Sequence, residues 1–128
     1  MNILLDSHAL VWGLLKDHRL SPTARRIFRD PPGRLHFSMV SLWELSVKIS
    51  IGKLRTVGSS IQYLRDECRE YGIEIMPIRM EHVLRAESLP LHHRDPFDRL
   101  LIAQAMEEGL AVLTDDAHFR RYPVKTIW

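Results

Sequence analysis

Four carboxylates are the residues of this chain best suited to chemistry: Asp6 in ILLDSHALVW, Glu44 in SLWELSVKIS, Asp98 in DPFDRLLIAQA and Asp116 in AVLTDDAHF. They are far apart in sequence, and each adjoins an apolar run of the kind that builds a core. An acid at a core edge is costly unless a cation or a set of donors offsets it. A hard divalent ion prefers oxygen ligands and would serve all four at once. Carboxylates holding Mg²⁺ or Mn²⁺ suit phosphodiester hydrolysis, because the ion activates a water and offsets charge in the transition state. It would also let an acidic pocket accept a polyanion.

Each acid also has a purely structural role open to it. Asp98 shares its helical face with Leu101, Ile102, Ala105 and Met106, so it lies on the inward stripe. Capping does not require that face, and it describes Asp95 better than Asp98. A helix N-terminus keeps a carboxylate ionised, as a metal ligand must be. Glu44 sits at the edge of an arc formed by Val40, Val47 and Ile51, with Leu42, Leu45 and Ile49 covering much of the other side; a helix this apolar is expected to be largely buried. Glu44 could instead pair with Lys48, four residues on. Asp6 and Asp116 could each cap the turn that follows, and Asp115 competes with Asp116. Ser7, Ser38, Ser41 and Thr114 lie beside these acids, where hydroxyls cap helices or orient carboxylates. His92 and His93 read as surface residues or RNA contacts, and Trp12, Trp43 and Trp128 as core or interface aromatics.

The elements that must position the acids alternate along the chain. Apolar runs predict strands over 3–5, 35–38, 73–78, 110–114 and 124–128. Helices are predicted over 8–16, from Ser21-Pro22 through TARRIFRD, over 40–51, 61–71 and 80–88, and from Asp95-Pro96 to Glu108, with a helical turn over 116–120. Gly52, Gly72 and Gly109 stop three of them, and Gly58-Ser59-Ser60 marks a loop. Such alternation defines an α/β domain with a mostly parallel sheet covered on both faces. Ligands then bind beyond the carboxyl ends of the strands, where Asp6, Asp115 and Asp116 fall.

The bulk properties narrow the class. At 128 residues the chain is expected to be one domain, 1–128. Its formal charge of +2 only weakly suggests an anionic partner, although Arg25, Arg26, Arg29 and Arg34 cluster early and Arg120, Arg121 and Lys125 late. The single Cys68 excludes an internal disulfide and a cysteine zinc site and fits a reducing compartment. With no signal peptide and no membrane-length apolar run, the expected location is the cytoplasm. No G-x-G-x-x-G follows the first strand, which disfavours a dinucleotide enzyme.

The stretches LLDSHALVW, SMVSLWELSVKISIGKL, HRDPFDRLLIAQA and LTDDAHF, in this order over residues 3–119, resemble those of PIN-domain nucleases, and more narrowly VapC-like toxins of toxin–antitoxin pairs. The resemblance implies a three-layer α/β/α fold and a Mg²⁺- or Mn²⁺-dependent endoribonuclease that is inhibited by a cognate antitoxin and is commonly dimeric. It puts the family's four acids on Asp6, Glu44, Asp98 and Asp116, with Asp6 and Asp98 the most direct metal ligands. Thr114 falls on the hydroxyl position, and Ser7, Asp115 and Arg99 are supporting residues, Arg99 toward RNA phosphates. The alternatives are a catalytically silent PIN fold acting through protein contacts, and a metal-dependent phosphatase. The haloacid-dehalogenase type of phosphatase wants a second Asp where this chain has His8.

Overall fold

The computed structural model describes residues 1–54 and 60–128. Gly58 and Ser59 of the expected loop lie outside the described residues. The chain runs β1 (Ile3–Leu5), α1 (Ser7–Leu15), α2 (Pro22–Arg29), β2 (Leu35–Ser38), α3 (Met39–Ser50), α4 (Ile61–Glu70), β3 (Glu74–Met76), α5 (Met80–Ser88), α6 (Pro96–Glu108), β4 (Ala111–Leu113), a 3₁₀ turn (Ala117–Arg121) and β5 (Thr126–Ile127). The strands form one sheet in the order β3-β2-β1-β4-β5, and every pairing is parallel.

β1 is the central strand. Ile3, Leu4 and Leu5 pair with Leu35–Phe37 on one side and Ala111–Leu113 on the other. Successive side chains point to opposite faces, so both faces of β1 must be apolar. Ile3 and Leu5 join a core with Ala9, Leu10, Ala24, Ile27, Leu45 and Leu64, from α1 to α4. Leu4 joins the other core, with Leu101, Ile102, Ala105, Val112 and Phe119. This is the three-layer α/β/α arrangement.

Local chemistry sets the element limits. Asp6 caps α1 by accepting the Ala9 N–H at 2.7 Å. Ser21 caps α2, with Pro22 in its first turn. Asp95 caps α6 at the Phe97 N–H, 2.9 Å, and Gly109 ends it at φ 66°, where a side chain would be strained. The strands of 73–78 and 124–128 are shorter than predicted, Glu74–Met76 and Thr126–Ile127. Pro77 has no N–H to continue the ladder, and the Val124 N–H is turned onto Tyr122 O at 2.7 Å.

α3 departs from its expected burial. Its covered side is Val40, Ser41, Leu42 and Leu45, whereas Met39, Trp43 and Ile51 face outward, with Trp43 61% exposed. Trp43 is therefore not a core residue. Trp12 is half-buried, its ring against Trp128 at 5.7 Å. Among the described residues no helix is long and apolar enough to cross a membrane.

Candidate metal centre

The direction of the chain reverses at the sheet's middle. From β1 it proceeds outward to β2 and β3, then crosses to β4 on β1's other side. The carboxyl ends of β1 and β4 therefore border the crevice where ligands bind in open parallel sheets. Asp6 immediately follows β1, and Thr114, Asp115 and Asp116 follow β4.

Asp6 is buried, 6% exposed, with its N–H on Leu113 O at 3.2 Å. Burial raises its carboxyl above the ordinary range. The Thr114 hydroxyl, the Ala9 N–H and the nearby His8 oppose that rise, and Asp115 adds to it. Asp6 caps α1 at the end of the strand, and it is not among the residues whose donor atoms all lie within 4.8 Å of one another, which are His93, Asp98 and Asp116. The Thr114 hydroxyl also accepts the Asp116 N–H at 3.1 Å, so one threonine serves two of the acids.

Glu44 is held from both sides. Ser7 Oγ donates to its Oε1 at 2.6 Å and Lys48 Nζ to its Oε2 at 3.2 Å. The Lys48 pair is the structural role foreseen for it. Glu44 is nevertheless close enough to Asp98 for its charge to act there.

Asp98 lies on the inward face of α6, as its spacing predicts, with Leu101, Ile102 and Ala105 buried below it. Its carboxyl is pushed up to about 6, first by burial, then by the charges of Asp95 and Glu44, while His93 pulls it down. Asp98 and Asp116 come together with His93, the three offering donor atoms all within 4.8 Å of one another. Two anionic oxygens and one imidazole nitrogen at that spacing fit a divalent ion. Asp115 is exposed, and Asp116 is the acid directed into this group.

Two expectations need correction. His93 is not a surface residue: its side chain is 17% exposed, and Nε2 stands 2.8 Å from Asp98 Oδ2. Its neighbour His92 is exposed. The only signal in the sequence was the run HHRDPFD, which sets His93 five residues before Asp98. Arg99, in turn, is not free for phosphate. Its guanidinium donates to the carbonyls of Ala86, Leu89 and Pro90 at 3.0–3.2 Å and reaches Tyr122 Oη at 3.4 Å. The carbonyls that close a helix have no intrahelical partners, and α5 ends at Ser88, so Arg99 serves there.

A parallel three-layer α/β domain with carboxylates gathered at the carboxyl edge of its sheet is the framework of a metal-dependent hydrolase. The chain belongs to the PIN domain family, whose model matches residues 3–125, and is a VapC homologue. It is 30% identical over 133 residues to ribonuclease VapC22 of Mycobacterium tuberculosis, a match covering 98% of each chain. The fold matches DNA-bound VapBC from Salmonella typhimurium with a TM-score of 0.75 at 16% identity, over 99% of this chain and 97% of that one. It matches a toxin–antitoxin complex from Klebsiella pneumoniae at TM-score 0.68 and 18% identity, over 98% and 96%.

Proposed function

We propose that the chain is a single PIN domain acting in the cytoplasm as the endoribonuclease toxin of a toxin–antitoxin pair, dependent on Mg²⁺ or Mn²⁺. The observation that carries this is the meeting of Asp98 and Asp116 with His93, their donor atoms within 4.8 Å of one another, where burial and the charges of Asp95 and Glu44 push the Asp98 carboxyl up to about 6. The kinship with a ribonuclease supplies the substrate class.

We assign Asp98, Asp6, Asp116 and Glu44 to holding the ion. When bound, such an ion lowers the pKa of a water and offsets the charge that builds on the phosphate. The water would give up a proton to solvent as its oxygen bonds phosphorus, one ester P–O bond would break, and the departing oxygen would take a proton from solvent. Asp116 would order the attacking water. Ser7 and Lys48 hold the Glu44 carboxylate in place. The basic clusters of α2 and the C-terminal segment, exposed in this structure, would hold RNA phosphates.

A cognate antitoxin and a second copy of the chain are the proposed protein partners. Apolar surface for them exists on α3 (Met39, Trp43) and α5 (Met80, Val83, Leu84).

The test is incubation of antitoxin-free protein with total cellular RNA in Mg²⁺, Mn²⁺ or EDTA, beside folded Asp98→Asn. Discrete products that require both the metal and Asp98 are expected. Equal cleavage by Asp98→Asn would sink the assignment. A folded, metal-bound protein that cuts no RNA would point to a silent PIN fold working through protein contacts. Release of phosphate from p-nitrophenyl phosphate with RNA left intact would point to a phosphatase.

A further inference from the structure

His93 lies in the connection between α5 and α6, yet its place is fixed by a distant residue. The buried Tyr122 hydroxyl accepts the backbone N–H groups of His92 and His93 at 3.1 and 3.0 Å, and donates to Pro90 O at 2.8 Å. Arg99 ties down the same segment at Pro90 O. The His93 ring stacks on His118, with centroids 4.7 Å apart and planes 20° from parallel. His118 is itself anchored, its N–H donating to Asp116 Oδ1 at 2.9 Å. The imidazole is therefore held against Asp98 by Tyr122 and Arg99 through its segment's backbone and by the His118 ring, itself tied to Asp116, which is how a preorganised ligand is built.

The hydrogen-bonded separation of His93 and Asp98 is also one that a ligand pair can adopt. Two atoms at adjacent corners of an octahedron with bonds of about 2.1 Å stand about 3 Å apart. His93 Nε2 and Asp98 Oδ2 stand at 2.8 Å.

We propose that His93 Nε2 is a nitrogen ligand in this centre, and that it makes the site prefer Mn²⁺ to Mg²⁺. The inference rests on the metal-dependent reading above and adds the identity of the ion. Mg²⁺ is hard, takes oxygen and dehydrates reluctantly, whereas imidazole suits transition metals. A site of carboxylates alone would offer little discrimination. A histidine that merely oriented Asp98 would keep a proton on Nε2 to donate; a ligand carries it on Nδ1 and leaves Nε2 bare.

The experiment uses metal-free full-length protein, titrated with MnCl₂ and separately with MgCl₂ by calorimetry, together with pulsed EPR of the Mn²⁺ form. Wild type, His93→Gln and Asp98→Asn are compared after circular dichroism has shown each to be folded. The expected result is nitrogen hyperfine coupling on wild-type Mn²⁺ that is absent in His93→Gln. That variant should also lose about tenfold or more in Mn²⁺ affinity while its Mg²⁺ affinity changes little. Mn²⁺ bound by wild type without nitrogen coupling would overturn the inference and leave the carboxylate centre standing. So would an unchanged Mn²⁺-to-Mg²⁺ preference in His93→Gln. Wild type that binds neither ion would overturn the metal-dependent reading itself, and this inference with it.

Discussion

Asp98→Asn should make the metal-free protein more stable at neutral pH, although it removes a residue assigned to the reaction. The carboxyl moves from an ordinary 3.8 to about 6 in the folded chain. At about 1.4 kcal/mol per pH unit, charging it in the fold costs about 3 kcal/mol relative to charging it in the unfolded chain. The direction follows from the raised value. Wild type has the full benefit of a neutral Asp98 below about pH 4 and loses it as pH rises through about 6. Asparagine never charges, so it escapes that loss. The bond from His93 to the charged carboxyl is already counted in that value, so the net gain above pH 7 is about 3 kcal/mol. For a chain of this length that is about 9–15 °C in Tm. Urea denaturation of both proteins in EDTA, from pH 4 to pH 8, reads the difference. The gap should open between pH 4 and 6 and stay flat above 7. Adding Mn²⁺ should stabilise wild type and reverse the order. A variant no more stable than wild type at pH 8, or a gap of equal size at pH 4, would refute the claim that Asp98 is held charged against its surroundings.

Three further outcomes follow from the packing. His82→Ala should cost about 3 kcal/mol in urea denaturation, because it opens a cavity, strands the Arg79 N–H and removes the ring's bonds to the Gln104 amide and Glu108, which lie at 3.0, 3.2 and 2.9 Å from it. Gly13→Ala, which would gain about 1 kcal/mol in a free helix, should instead destabilise by about 1–2 kcal/mol, since the new Cβ would meet Phe28 Cε1 at 2.6 Å; a rise in Tm would contradict this. Tyr122→Phe should lower stability by about 1–2 kcal/mol and weaken Mn²⁺ binding, read by calorimetry, because the loop carrying His93 loses its anchor; unchanged metal affinity would count against that anchoring.

What could be read from the sequence was what neighbouring residues decide. The limits of α6 follow from Asp95-Pro96 and Gly109, and the inward face of Asp98 from its own spacing to Leu101, Ile102 and Ala105. β1 declared itself as a three-residue apolar run because the central strand of a parallel sheet is covered twice. What could not be read was what distant residues decide. His93 takes its role from Tyr122, twenty-nine residues on, and no local pattern distinguishes it from His92. Arg99 is claimed by carbonyls ten to thirteen residues back. The outward face of α3 depends on which layer it packs against, so an apolar helix was expected to be buried more evenly than it is.

The approach of Glu44 to Asp98 is the clearest case, because nothing near either residue produces it. Ser38, at the end of β2, caps α3 by accepting the Val40 N–H at 3.0 Å, and its hydroxyl donates to the side-chain oxygen of Gln104 in α6. The Gln104 amide passes to His82 Nδ1 and to Pro77 O. His82 Nδ1 also accepts the Arg79 N–H, which leaves its proton on Nε2, donated to Glu108. Ser38, Gln104 and His82 are fully buried, and each of their polar groups has a partner. A buried network with every member satisfied fixes one arrangement of the elements it joins, because any slip between them strands a polar group. Here it joins the start of α3, which carries Glu44, to the middle of α6, which carries Asp98 at its head. Burial raises the Asp98 carboxyl most, and the charges of Asp95 and then Glu44 add to that rise, so the two acids cannot be what holds these helices in place. The serine, the glutamine and the histidine hold them, and the cost of bringing two carboxylates together is borne by groups that take no part in the chemistry.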